Sequence, residues 1–330
     1  MQGHDIIVIG GSKGSINAMK KLLPELNPDL NASVFFVNHL APDSPNYFPN
    51  FFRDKSALEV KSAEDGEEIK KNRVYLAKPD FHLILEDNKI KLTRGPYENR
   101  WRPSIDPLFR SAAAVYGTRC VGIILSGYLD DGVSGLSAIK SCGGVTIVQD
   151  PEEAEYTDMP ESALKVLQPD YILKADEIPE VLYRLSNQPV DARLPSTPKE
   201  IKWEVKMAEA VQSRINMEES IGELTPQTCP DCSGPLWEHK EKNMTRYRCH
   251  IGHSYTEKVL LSHQKEIIRS KTYSLFRLLE ERKTMLQKIL ENNSEKSAPA
   301  SSGKLKNEIE ELKEGIAFLE TKIFNVVENI

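Results

Sequence analysis

The fold is decided by the stretch DIIVIGGSKGS at residues 5–15, which is followed by INAMKKLL at residues 16–23. A short apolar run, a glycine-rich turn and apolar residues at helical spacing predict a strand, a tight turn and an amphipathic helix. In an open α/β sheet, ligands bind where such a strand ends. Ser12 stands in this turn, where the amides of the helix start favour developing negative charge, and it is our candidate nucleophile.

The same turn has a rival interpretation as a degenerate dinucleotide-binding loop. A dinucleotide fold should follow its second strand with an acid that binds the ribose. Here the second predicted strand, residues 33–37, is followed by Asn38 and His39. A histidine at this place favours proton-transfer chemistry over a nicotinamide-dependent reductase, and an NADPH-binding titration would decide between them.

Strand and helix patterns alternate from residue 1 to about residue 185. This alternation predicts an α/β fold with a doubly wound, mostly parallel sheet. A β-hairpin insertion is expected where the runs Phe81–Glu86 and Ile90–Thr93 flank Asp87 and Asn88. Residues 1–185 are therefore assigned to one α/β domain.

A third candidate loop, residues 125–132, follows a strongly apolar strand and contains Asp130 and Asp131. Three strand ends then offer a serine, an imidazole and a carboxylate. A serine hydroxyl needs a base to become a nucleophile, and the imidazole needs a carboxylate to fix its tautomer. The pattern predicts a Ser-His-Asp triad, with either aspartate as the acid and with Ser15 and Ser126 as weaker candidates for the nucleophile.

Composition and charge exclude several classes of protein. The net charge of −6 over 330 residues gives no electrostatic footprint for nucleic acid. No run approaches the ~18 apolar residues that span a bilayer, and the first residues lack a signal-peptide pattern. We therefore expect a cytoplasmic protein with no nucleic-acid partner and no membrane insertion. Cys120 and Cys142 lie singly in apolar surroundings, which indicates buried thiols.

A cysteine module is predicted at residues 225–256. A Cys-x-x-Cys pair places two thiolates on one metal, and a second knuckle can complete a tetrahedron. The candidate ligands are Cys229, Cys232, Cys249 and His253. His250 competes for the fourth position. The segment is too short and polar for a core of its own, so a structural zinc ion would supply its folding energy.

The rest of the chain is predicted to be largely helical. We expect a polar linker at residues 186–200, a helix at 201–224 and a helical hairpin or coiled-coil tail at 257–330, with a low-complexity turn at 292–303. Heptad spacing relates Leu305, Ile309, Leu312, Ile316, Leu319, Ile323, Val326 and Ile330. A partner face is offered by Leu275, Leu278, Met285 and Ile289. Pairing within one chain and a homodimer would both satisfy this pattern.

Several segments of the α/β domain also match a known family. They are IGGSKG at residues 9–14, HLAP at 39–42, AEDG at 63–66, VYLAKP at 74–79, RPSID at 102–106, GIILSG at 122–127 and MP at 159–160. With these motifs in this order, the domain resembles the catalytic domain of CheB, the chemotaxis protein-glutamate methylesterase. The cysteine module resembles the zinc-ribbon-like tail behind some stand-alone CheB-type domains.

The resemblance implies that Ser12 is the nucleophile, His39 the base and Asp131 the orienting acid. The backbone N–H groups of Lys13 and Tyr128 would form the oxyanion hole. The implied reaction is hydrolysis of γ-glutamyl methyl esters on a methyl-accepting chemotaxis receptor or a related methylated protein, with glutamine deamidation as a second activity. No cofactor is expected for catalysis. Because the sequence starts at the catalytic strand, control by an attached receiver domain is not expected.

Two residues depart from the family pattern near the nucleophile. Lys13 stands where the family often has threonine, and Tyr128 where it often has methionine. Both would donate through the backbone, so the changes affect access and substrate choice rather than the mechanism. The alternative function is a non-catalytic signalling scaffold built on a CheB-like domain, which an assay of Ser12→Ala beside the wild type would separate from an esterase.

Overall fold

The structure is a computed structural model that describes residues 3–190, 197–209, 222–241, 244–293 and 299–329. The chain divides into two compact units, residues 1–260 and 261–330. The first unit contains the α/β domain and the cysteine module, and the second contains most of the helical tail.

A seven-stranded parallel sheet forms the centre of the first unit. Its strands are β1 (Ile6–Gly11), β2 (Ser33–Asn38), β3 (Glu59–Ser62), β4 (Arg73–Leu76), β7 (Cys120–Ile124), β8 (Val145–Gln149) and β9 (Tyr171–Leu173). Their order is β3-β4-β2-β1-β7-β8-β9, and all neighbours are parallel. The chain runs outward in opposite directions on the two sides of β1, so the loops after β1, β2 and β7 meet at a switch point.

Both faces of this sheet are covered by helices. Along β1, Ile6 and Val8 enter one hydrophobic core and Ile7 and Ile9 the other, because successive strand residues point to opposite faces. The helices are α1 (Ser15–Leu22), α2 (Phe48–Arg53), α3 (Ile105–Tyr116), α4 (Val133–Ser141), α5 (Asp158–Val166) and α6 (Ile178–Asn187), with 3₁₀ turns at Leu23–Glu25 and Gly117–Arg119. Helices α3, α4 and α5 pack on one face and α1 and α6 on the other. The predicted doubly wound α/β fold is confirmed, and Cys120 and Cys142 are buried in it.

The β-hairpin insertion is also confirmed. It consists of β5 (His82–Glu86) and β6 (Lys89–Thr93), which pair in antiparallel fashion. Asn88 in the turn has φ of +57°, a left-handed conformation that asparagine tolerates better than most side chains.

The cysteine module is a four-stranded antiparallel sheet. It follows α7 (Lys199–Glu209) and contains β10 (Glu223–Thr228), β11 (Pro235–Glu241), β12 (Met244–Cys249) and β13 (Ser254–Thr256). The helix predicted at 201–224 does not reach its expected end, because Glu223 and Leu224 pair with β11. The middle of that predicted helix, residues 210–221, lies outside the described residues. In the predicted linker, Ser186 and Asn187 belong to α6, and Lys199 and Glu200 begin α7. Residues 191–196 lie outside the described residues.

The helical tail consists of α8 (Glu257–Asn293), α9 (Pro299–Phe318), a π-helical turn (Leu319–Ile323) and α10 (Phe324–Asn329). Within residues 261–330 the tail is an antiparallel hairpin, since Arg282 bonds to Glu308 while Tyr273 contacts Phe324 at a ring distance of 4.8 Å. Among the described helices, none combines the length and apolarity needed to cross a bilayer.

Three details of the predicted tail differ from the structure. The predicted partner face of Leu275, Leu278, Met285 and Ile289 is 40–66% exposed, so other residues of α8 form the hairpin contact. Val326 is 56% exposed and Val327 is buried, because the wide π-helical turn shifts the heptad by one residue. Residues 292–293 and 299–303 of the predicted turn are helical. Residues 294–298 and Ile330 lie outside the described residues.

Candidate active site

Ser12 lies directly after β1, in the turn that leads into α1. Its backbone N–H donates to the carbonyl of Ser126 at 3.0 Å, and its own carbonyl accepts from the hydroxyl of Ser15 at 2.6 Å. Gly14 has φ of +85°, which is a left-handed conformation that favours glycine. These contacts fix the turn and leave Ser12 half-buried at the edge of the sheet.

His39 follows β2 and lies between Ser12 and Asp131. Its Nδ1 atom is 3.1 Å from Ser12 Oγ, and its Nε2 atom is 2.7 Å from Asp131 Oδ2. Since an ionised carboxylate only accepts, Nε2 carries the proton and Nδ1 is left to accept from the serine hydroxyl. The imidazole stacks on Trp101 with ring centroids 4.7 Å apart and planes 6° apart. The ring is therefore held in the orientation that a general base for Ser12 requires.

Asp131 is buried and surrounded by hydrogen-bond donors. Besides His39, its carboxylate accepts from the Ile105 backbone N–H at 2.7 Å, the Ser104 hydroxyl at 2.8 Å and the Asn99 side-chain amide at 2.8 Å. Burial alone would raise the pKa of Asp131, but its interactions with His39, Ile105 and Asn99 outweigh burial and hold the pKa well below its usual range. Asp131 is an ionised carboxylate at neutral pH.

The weaker candidates from the sequence are engaged elsewhere. Asp130 accepts a hydrogen bond from the Thr256 hydroxyl at 2.6 Å, whereas Asp131 faces the imidazole. The hydroxyl of Ser126 donates to the carbonyl of Lys13 at 3.0 Å, and that of Ser15 bonds to the turn itself. Ser12, His39 and Asp131 are the members of the predicted set that the structure brings into one hydrogen-bonded chain.

Lys13 and Tyr128 both lie beside Ser12. A Cβ added to Gly127 would be only 3.0 Å from the Cβ of Ser12, so the backbone that leads into Tyr128 passes close to the serine. In the described part of the chain, no backbone carbonyl accepts from the N–H of either residue. The Lys13 ammonium lies 4.9 Å from the ring centre of Tyr156 and 5.5 Å from that of Tyr128. Lys13, Tyr128 and Tyr156 thus form a rim beside Ser12.

The four predicted metal ligands lie together in the cysteine module. Their donor atoms, from Cys229, Cys232, Cys249 and His253, are all within 4.8 Å of one another. Cys232 Sγ is 3.6 Å from Cys249 Sγ, and His253 Nδ1 is 3.6 Å from Cys249 Sγ. Zn–S and Zn–N bonds at tetrahedral angles place such donors about 3.5–3.8 Å apart, so this set fits a zinc ion. His250 instead packs against Gly234, where a Cβ would lie 2.2 Å from its ring.

A buried charge cluster joins the cysteine module to the α/β domain, and the sequence analysis did not find it. Glu98 bonds to Arg110 and Arg246, and Glu204 bonds to Arg248. Burial would raise the pKa of Glu204, but the three arginines outweigh it and lower this pKa. Such pairs are formed by residues far apart in the chain, and no local sequence signal marks them.

Asn99 and Trp101 are also residues that the sequence analysis missed. They contact Asp131 and His39 from a loop that is not one of the three switch-point loops. In the sequence, these two residues were marked only by their proximity to the family segment at residues 102–106. That segment contains Ser104 and Ile105, whose hydroxyl and backbone N–H donate to Asp131.

The chain is similar to several known proteins. A family model described as CheB methylesterase matches residues 7–182. A relative from Leptospira interrogans is 39% identical over 191 residues, which cover 58% of this chain and 99% of the relative. The protein-glutamate methylesterase/protein-glutamine glutaminase 2 of Anaeromyxobacter dehalogenans is 35% identical over 182 residues, which cover 55% of this chain and 53% of that protein.

A solved structure of the same family also matches this chain. The crystal structure of the Thermotoga maritima CheB methylesterase catalytic domain aligns with a TM-score of 0.54 and 34% identity, over 56% of this chain and 100% of that one. The chain belongs to the CheB methylesterase family, a family of carboxylic-ester hydrolases.

Proposed function

We propose that this protein hydrolyses γ-glutamyl methyl esters on a methyl-accepting chemotaxis receptor or a related methylated protein. Ser12 is the nucleophile, His39 the general base and Asp131 the orienting acid. The observation that carries the proposal is the hydrogen-bonded chain from Ser12 Oγ through His39 to Asp131 at the switch point of the sheet. Names of relatives such as protein-glutamate methylesterase/protein-glutamine glutaminase supply the substrate class.

The reaction follows from the positions of these groups. His39 Nδ1 takes the proton of Ser12 as the hydroxyl attacks the ester carbonyl, and Asp131 stabilises the imidazolium that forms. The backbone N–H groups of Lys13 and Tyr128 donate to the oxyanion, and one such donor contributes about 10²–10³ in rate. Methanol leaves with the proton from His39. Water then attacks the acyl-enzyme and releases glutamate.

Glutamine deamidation is part of the proposal as a second activity. Attack of Ser12 on a side-chain amide uses the same base and the same oxyanion donors, and ammonia leaves in place of methanol. Neither reaction requires a catalytic cofactor, since nucleophile, base and acid all come from the chain.

The alternative is a non-catalytic signalling scaffold. A methylated receptor fragment incubated with the wild type should release methanol, and Ser12→Ala should not. Ser141→Ala is the matched control, since this serine is exposed at the end of α4 and should leave the rate unchanged. Methanol release no faster than the protein-free background in both proteins would leave the scaffold as the better account, whereas equal release above background would contradict the role of Ser12.

We also propose that Cys229, Cys232, Cys249 and His253 hold a structural zinc ion. The donor set and its spacing support zinc, and these four residues would fill a tetrahedral site and leave no position for a substrate. Thiols that serve as metal ligands rather than disulfides fit a cytoplasmic location, which we include in the proposal.

A homodimer through the helical tail is the final part of the proposal. Leu275, Leu278 and Met285 are each at least 47% exposed on one side of α8. An apolar stripe at heptad spacing is what a coiled-coil partner would cover.

A further inference from the structure

The segment from Tyr97 to Trp101 lies between the cysteine module and the proposed triad. On one side the backbone N–H of Ser254 donates to the carbonyl of Tyr97 at 3.1 Å, and the N–H of Asn99 donates to the carbonyl of Ser254 at 2.7 Å. On the other side Trp101 stacks on His39. One short segment therefore contacts both β13 of the module and the imidazole.

Asn99 uses every polar group of its side chain in this bridge. Its Oδ1 atom accepts from the backbone N–H of Thr256 at 3.1 Å, and its Nδ2 atom donates to Asp131 at 2.8 Å and to Asp106 at 2.9 Å. Asn99 is 1% exposed, so water does not replace these partners. It has φ of +50°, and Arg100 beside it has φ of +72°. Two successive left-handed non-glycine residues are costly and persist only where surrounding contacts impose them.

In the cysteine module, the residues that contact this segment lie next to the predicted metal ligands in the chain. His253 immediately precedes Ser254, and its carbonyl accepts from the N–H of Cys249 at 3.0 Å. Three residues after His253, the hydroxyl of Thr256 donates to Asp130, the neighbour of Asp131. A metal held by the knuckle that contains Cys249 and His253 would fix the start of β13, and β13 in turn holds Asn99.

We propose that Asn99 is a positioning residue through which the metal-loaded cysteine module sets the geometry of the triad. This inference rests on the proposed function and adds to it a regulation: occupancy of the cysteine site controls ester hydrolysis without any contact between the metal and the substrate. Loss of the metal frees β13, and Asn99 then no longer holds Asp131 and the Trp101 segment. The module is thus an integral part of the active site rather than an independent docking appendage.

The test uses the full chain and two readouts. Zinc content is measured for the purified wild type before and after treatment with a chelator, with folding followed by circular dichroism. The first readout is the rate at which a fluorophosphonate labels Ser12, which reports activation of the serine and needs no receptor. The second is kcat and KM for methanol release from a methylated receptor fragment.

We expect one zinc per chain. Its removal should lower both the labelling rate and kcat by about tenfold or more. KM should be nearly unchanged, because small misplacements of catalytic groups act on kcat. Added zinc should restore both rates. Cys232→Ser should behave like the chelated protein. Cys142→Ser, a matched cysteine outside the module, should keep the zinc and the rates of the wild type.

Asn99→Ala supplies the coupling test. Its labelling rate should be low even with zinc bound, and chelation should lower it little further, since the connection is already cut. The inference would be overturned if the folded, zinc-free wild type were labelled as fast as the zinc-loaded protein. It would also be overturned if the losses in labelling rate caused by Asn99→Ala and by chelation multiplied independently. Should Asn99→Ala not fold, the chelated wild type decides alone. Absence of methanol release from the zinc-loaded wild type would contradict the proposed function instead, and the labelling rates would still decide the role of the module.

Discussion

The Nε2 atom of His39 lies 2.7 Å from Oδ2 of Asp131, and this contact determines which imidazole nitrogen can accept a proton from Ser12. Because the carboxylate requires a donor, the proton stays on Nε2 and the basic lone pair is on Nδ1, toward Ser12. Four further donors fix the carboxylate, so the tautomer is set by buried groups rather than by solvent.

Asp131→Asn should therefore lose activity with little loss of substrate binding. An amide beside Nε2 can donate to it and stabilise the wrong tautomer, for which a kcat loss of about 10⁴ is expected. Steady-state kinetics on a methylated receptor fragment measures it. Asp130→Asn is the control, since its amide oxygen can still accept from Thr256, and it should retain most of the wild-type rate. A similar loss in both variants would contradict the assignment of Asp131.

The losses in kcat caused by Ser12→Ala and by His39→Gln should not add to each other. Each single variant should lower kcat by about 10⁴ or more, and the double variant should be no slower than the worse single variant. The comparison of the three kcat values tests this. Losses that multiply would indicate that the two residues act in separate steps.

The stability of the protein should depend on pH through Asp131. Its pKa is lower in the folded state than in the unfolded chain, so its contribution to stability is present above the unfolded value and is lost as the pH falls through the folded value. The difference in unfolding free energy between wild type and Asp131→Asn should shrink as the pH is lowered from about 6 to about 3. Urea denaturation at each pH measures it, and a difference that grows toward acid would refute the predicted direction.

Gly127→Ala should impair both folding and activity. Its new Cβ would lie 2.0 Å from Met159 Sδ and 3.0 Å from Ser12 Cβ, so the loop beside Ser12 must shift. We expect a destabilisation of about 1–3 kcal/mol and a lower kcat. Gly315→Ala is the control, because a Cβ there meets no atom within 4 Å and alanine favours the helix. Thermal unfolding and the esterase assay would show whether the two alanines differ as expected.

The exposed stripe on α8 predicts the effect of charge on assembly. Leu278→Lys with Met285→Lys should convert a dimer into a monomer, since burying two ammonium groups in an apolar seam is unfavourable. Thr284→Ala, at an exposed position of the same helix away from the stripe, should leave the dimer intact. Analytical ultracentrifugation gives the masses, and a wild-type monomer at micromolar concentration would argue against the dimer.

Local patterns in the sequence were sufficient to predict the fold and the three loops at the switch point. The strand, turn and helix around Ser12 are specified by neighbouring residues, as are the knuckles around Cys229 and Cys249. Asn99 and Trp101 could not be predicted, because their partners lie far away in the chain. Ile309, Ile316 and Leu319 of the predicted heptad seam are buried, but the end of the seam was misplaced for a different reason. A π-helical turn moves Val327 inward in place of Val326, and heptad counting assumes a regular helix.

The central claim is that Ser12 forms a covalent acyl-enzyme, and mass spectrometry of the digested protein tests it most directly. The full chain would be mixed with a slowly turned-over activated glutamyl ester, quenched in acid and digested. We predict an acyl adduct on the peptide that contains Ser12, formed at the rate of the burst and absent from Ser12→Ala. Turnover without any adduct on Ser12, or an adduct that persists in Ser12→Ala, would contradict the account.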